Sequence, residues 1–87
     1  MSTDIFTNEK YRVLSYLYDN KDNKNLVKIT QTELCEELDL SRSTINTIFK
    51  ILKENDYLLH DETRVGRYYL TDRAINTIRL FRKANKE

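Results

Sequence analysis

The sequence has 87 residues, 33% of them charged and 39% hydrophobic, and 15 Lys and Arg against 14 Asp and Glu leave a formal charge of +1. That length supports one domain, residues 1–87, with a core small enough that a partner subunit is expected to add to its stability. The composition excludes a disordered chain and a membrane span of ~20 apolar residues. With Cys35 the only cysteine and His60 the only histidine, an internal disulfide and a Cys/His zinc site are excluded too.

Met1-Ser2-Thr3-Asp4 shows no basic stretch leading into an apolar segment, so no secretory signal is read and a cytoplasmic protein is expected. Gly66 is the only glycine, which removes a Gly-rich phosphate loop. No paired carboxylates, nucleophile with its base, or metal-ligand set is visible, so neither an enzyme nor a cofactor is expected.

In chain order, the stretch from about Asn8 to Tyr18 has Tyr11, Leu14 and Tyr18 on one line and Val13 and Leu17 on the next, which is helical spacing. Its tyrosines Tyr11, Tyr16 and Tyr18 suit either a core with wet phenol tips or a subunit interface. A polar, Asn-rich connector over 19–25 gives way to a short strand, Leu26-Val27-Lys28-Ile29. Thr30-Gln31-Thr32-Glu33 has the capping-box pattern, so a second helix starts there with Leu34 and Leu38 inward. Cys35 lies on its inner side and is expected to be a small buried core residue rather than a redox sensor.

Asp39-Leu40-Ser41 interrupts the periodicity, and Ser41 is suited to cap a third helix over roughly 42–54. Ile45, Ile48, Phe49 and Leu52 turn inward, so Arg42, Ser43, Asn46, Thr47, Lys50 and Lys53 fall on the outer face. No acidic residue occurs from Ser41 to Lys53. Tyr57 to Asp61 and Arg67 to Leu70 are β-favouring runs joined by 62–66, where Gly66 supplies the positive φ of a hairpin with Arg64 at its tip. His60 is read as a strand residue with no special role. Thr71 or Asp72 caps a last helix with Ala74, Ile75, Ile78 and Phe81 inward. Its basic end, Arg79 to Lys86, complements the helix dipole.

Charge is unevenly spread along these elements. Residues 1–40 hold five basic and eight acidic side chains, a net of −3; residues 41–87 hold ten basic and six acidic ones, a net of +4. The C-terminal half is therefore the candidate face for a polyanion.

Helix, short strand, helix, three-residue turn, helix, hairpin and helix together make an α+β, mainly α arrangement, that of a winged helix-turn-helix. The run from Ile29 to Ile45 resembles the bacterial pattern Thr/Ser, Glu-Leu-Ala, Leu, Gly-Leu-Ser, Arg-Ser-Thr-Val, and Lys53-Glu54-Asn55-Asp56-Tyr57-Leu58 resembles the exit into the wing. Asp61-Glu62-Thr63-Arg64-Val65-Gly66-Arg67 with Tyr69-Leu70-Thr71 is similar to the wings of MarR-like repressors. It is closer still to the small TubR-type proteins that bind plasmid or phage centromeres.

The resemblance implies a homodimer on double-stranded DNA, acting as a centromere-binding adaptor and autorepressor for a filament-forming tubulin-like GTPase, or as a MarR-like repressor. A protein-binding winged-helix domain is the alternative from another class. Asp39 stands where the pattern usually has glycine, and Asp tolerates the left-handed backbone that position needs. MarR-like proteins dimerise through long added helices, for which 87 residues leave no room.

In such a fold the third helix enters the major groove. Ser41, Arg42, Ser43, Thr44, Asn46 and Thr47 are then in position: Arg42 for guanine, Asn46 for adenine, the helix N-terminus and the hydroxyls of Ser43 and Thr44 for phosphates. Lys50 and Lys53 add affinity without specificity, and Arg64 with Arg67 suits a narrow A·T-rich minor groove.

Overall fold

The computed structural model describes residues 9–61, 63, 64 and 66–85. Met1 to Asp4, Asn8, Glu62, Val65 and Lys86 lie outside them. The elements are α1 (Glu9–Asp19), β1 (Leu26–Lys28), α2 (Gln31–Leu38), α3 (Arg42–Glu54), β2 (Leu58–His60), β3 (Arg67–Leu70) and α4 (Asp72–Asn85).

The helices α2, α3 and α4 each begin where a side chain can satisfy one of their first free amides. The Thr30 hydroxyl accepts from the Glu33 amide at 3.1 Å while the Glu33 carboxylate accepts from the Thr30 amide at 2.9 Å, so the capping box of α2 is complete. Ser41 caps α3 by accepting from the Thr44 amide. Of the two candidates for α4, Thr71 is the cap: its hydroxyl accepts from the Ala74 amide and donates to the Asp56 carbonyl. Asp72 follows as the first-turn acid that the helix dipole favours.

Three tight joints use left-handed backbone without glycine. Asn25 (φ 66°) precedes β1, Asp39 (φ 57°) ends α2, and Asp56 (φ 64°) follows α3. After Asp56, the Tyr57 amide reaches back to the Leu52 carbonyl at 2.9 Å, closing the open end of α3.

The strands form an antiparallel sheet in the order β1-β3-β2. The expected hairpin is β2 with β3; β3 spans the expected residues, and β2 is one residue shorter at each end, since Tyr57 serves the helix end and Asp61 the turn. Pairing of Leu26 with Tyr69 and of Val27 with Tyr68 adds β1 to the hairpin's other side. Beyond the strand proper, Ile29 donates to the Gly66 carbonyl at 2.9 Å.

One sheet face turns Val27, Tyr68, Leu58 and Leu70 into the core; the other leaves Tyr69 and Leu59 in solvent. Val13, Leu14 and Leu17 from α1 are fully buried against Leu34, Ile45, Leu52 and Ile78 of the other helices. Each such side chain contributes about 1.5–3 kcal/mol. Cys35 departs from expectation: it is half-buried, packed at the margin of the core rather than inside it. The helix 1 tyrosines likewise pack half-buried against the core, and Tyr11 meets Phe81 at a ring separation of 4.4 Å.

Candidate nucleic-acid interface

α3 shows its two faces clearly. Ile45, Ile48, Phe49 and Leu52 are buried, whereas Ser41, Arg42, Ser43, Asn46, Thr47, Lys50 and Lys53 are exposed. Thr44 differs from its neighbours: it is half-buried, and its hydroxyl accepts from the Ser41 hydroxyl at 2.9 Å. Arg42 occupies the first helical position of α3, where no acid balances it. A cation there opposes the helix dipole, at a cost of about 0.3–1 kcal/mol.

Two side chains from the first turn of α2 reach this face. The Arg42 Nη2 donates to the Thr32 hydroxyl at 2.8 Å, and the Gln31 amide donates to Asn46 Oδ1. No spacing rule links positions 10 and 15 residues apart in different helices; the only available signal was that both side chains are polar at the first turn of α2.

The hairpin tip is organised by Asp61. Its carboxylate accepts from the Thr63 amide at 3.0 Å and the Thr63 hydroxyl at 2.6 Å, and its carbonyl accepts from the Arg64 amide at 3.2 Å. Those Thr63 hydrogen bonds, with a smaller push from Arg64 and Arg67, hold the Asp61 carboxyl below its ordinary value. Gly66 has φ 76°, and a Cβ there would stand 3.2 Å from the Ile29 carbonyl oxygen. Both features favour glycine at this one place.

The structure separates the two hairpin arginines. Arg64 is exposed in the turn, whereas Arg67 is half-buried at the start of β3, opposite Lys28 and beside a groove that Thr30 and Glu33 also line. Arg42 and the hairpin do come together. With Gln31, Thr32, His60 and Tyr68 they line an open cleft of about 320 Å³. His60, stacked on Tyr68 with ring centroids 5.0 Å apart, forms its hairpin wall.

The arginines of α4 are used internally. Arg82 pairs with Asp19 at 2.9 Å, donates to the Ser15 hydroxyl at 2.7 Å and lies over the Tyr18 ring. Arg79 donates to the Tyr18 hydroxyl, and Arg73 lies over Tyr57. Complementing the helix dipole is therefore not all that the basic end of α4 does.

A helix-turn-helix packed on a three-stranded sheet, with a basic outer helix face beside the hairpin, defines a winged helix-turn-helix protein. Residues 6–67 match the MarR family, and the chain belongs to it. Winged-helix proteins of this family bind DNA, usually as dimers, and regulate transcription. A 38-residue stretch is 45% identical to a replication initiation protein of Bacillus anthracis, covering 44% of this chain and 7% of that protein. The chain thus spans only a small part of that relative's length. No solved structure matches it. Among the described residues no helix is long and apolar enough to cross a membrane, and no group of side chains has the makings of a metal site.

Proposed function

We propose that the protein binds double-stranded DNA sequence-specifically as a homodimer, with α3 in the major groove and the hairpin wing against the adjacent minor groove. The observation that carries this reading is the outer face of α3: Arg42, Asn46, Thr47, Lys50 and Lys53 all stand in solvent, with Arg42 kept at a helix start that disfavours it. Ser43 and Thr44 offer hydroxyls to phosphates at the same end, where Ser41 donates its own to Thr44. Arg64 is the wing's candidate minor-groove contact, with Arg67 at its base.

Such a protein acts by occupying a site. Its biological role is a centromere-binding adaptor and autorepressor of a plasmid or phage partition system, where its partner would be a filament-forming tubulin-like GTPase. The stretch shared with a replication initiation protein supports a role tied to a replicon; an ordinary MarR-like repressor is the second reading, supported by the family match.

Selection from a pool of random duplexes, followed by fluorescence anisotropy across a salt series, tests the DNA reading. Enrichment of a site whose advantage over random duplex survives ~150 mM salt is expected. Replacing Lys50 with Ala should reduce the slope of log affinity against log salt by about 0.9. Failure to enrich any site overturns site-specific binding. Half-sites repeating every ~10–10.5 bp, and a dimer by sedimentation at micromolar concentration, are expected of the two-fold arrangement.

A further inference from the structure

We infer that Gln31 and Thr32, in the first turn of α2, are the positioning residues that set the base specificity of α3. This inference rests on the DNA-binding reading and deepens it. Neither side chain is needed to begin its own helix, because Thr30 and Glu33 complete that cap between them. Neither belongs to the core: Gln31 is half-buried and Thr32 exposed. Each instead holds one of the two α3 side chains suited to reading base edges, Thr32 holding Arg42 and Gln31 holding Asn46. Arg42 and Asn46 are four residues apart and so lie one above the other on the same helix face. The two tethers fix adjacent reading positions from one side.

The chemistry of the Arg42 tether is selective. A long guanidinium side chain at the positive end of a helix otherwise samples many rotamers in solvent, and ordering it only on binding weakens discrimination between bases. A hydroxyl supplies an acceptor without a counter-charge, so Thr32 orients the guanidinium and leaves its positive charge and its other N–H groups for DNA. A carboxylate at the same place would orient it too, but would cancel the charge. Glu33, the acid next to Thr32 in the chain, is occupied on the Thr30 amide.

The test uses the full chain and a site enriched by the wild-type protein from random duplexes. The specificity ratio, site over random duplex of equal length, is measured by anisotropy for Thr32→Val, Thr32→Ser and Gln31→Met. Thr32→Val and Gln31→Met should each lower the ratio about tenfold or somewhat less, the scale of one lost base discrimination. Affinity for random duplex and the thermal midpoint should stay unchanged, and Thr32→Ser should keep the wild-type ratio. Single-base variants of the site should locate the Thr32→Val loss at the base pair where Arg42→Ala relaxes preference, and the Gln31→Met loss where Asn46→Ala does.

An unchanged ratio, an equal loss on both duplexes, or a Thr32→Ser protein as unselective as Thr32→Val would overturn the inference. If the wild-type protein enriches no site, the DNA reading fails first, before any variant is measured, so the two failures are distinguishable.

Discussion

The edge formed by α3 and the wing and the seam between α1 and α4 are both rich in arginine, yet they use it in opposite ways. At the seam, Arg82 is shared among Asp19, Ser15 and the Tyr18 ring, and Arg79 is held by the Tyr18 hydroxyl. At the α3 edge, Arg42 meets only a neutral hydroxyl, and among the described residues Lys50, Lys53 and Arg64 make no ion pair. A count of charges along the chain places the arginines of both regions in one basic half; only the pairing tells which cations fasten the fold and which stand in solvent with no ion pair among the described residues. The available positive surface is therefore smaller and more localised than the C-terminal half as a whole.

The sharpest way to break this contrast is to delete one arginine from each region. Arg42→Ala should cost about 1–3 kcal/mol in binding to the selected site. Its thermal midpoint should not fall, because the change removes a cation from the positive end of α3. A protein that loses stability along with affinity would show that Arg42 is structural after all. Arg82→Met should do the reverse, lowering stability by about 1–2 kcal/mol while leaving the DNA affinity of the folded protein unchanged. The figure stays modest because Asp19 is 57% exposed and water screens the pair. For a chain of this size the midpoint should fall roughly 4–8 °C for each kcal/mol lost.

The smallest effect concerns the wing. Because the Asp61 carboxyl lies below its ordinary value of 3.8 in the folded protein, its contribution is complete above that value and is lost as pH falls through the lower folded one. The Thr63 amide resonance should therefore hold its position from neutrality down to about pH 4 and move only in stronger acid. Movement closer to neutrality would point to another group in place of Asp61.

What could be read beforehand follows the range of the interaction. Thr30 with Glu33, and Ser41 with the residues it caps, act over three residues, so α2 and α3 begin where the sequence indicates. The apolar spacing of Ile45, Ile48, Phe49 and Leu52 likewise decides which side of α3 is left in water. The pairing of Leu26 with Tyr69 closes a loop of more than forty residues, and no local pattern announces it. The same holds for Arg82, whose hydrogen bond to Ser15 spans 67 residues. The outer face of α3 was legible from its spacing, whereas the hydrogen bonds that reach it from Gln31 and Thr32 were not.

The three left-handed joints at Asn25, Asp39 and Asp56 have a consequence for the unfolded chain. Glycine at each would fit the turn with less strain, but it would also widen the conformations open to the denatured backbone, an effect worth about 0.4–1 kcal/mol per site. Asn and Asp accept some strain in the native turn and keep the competing ensemble narrower. In a chain that bends this often with a single glycine, the narrower denatured ensemble thereby offsets part of the strain that the joints hold in the native turn.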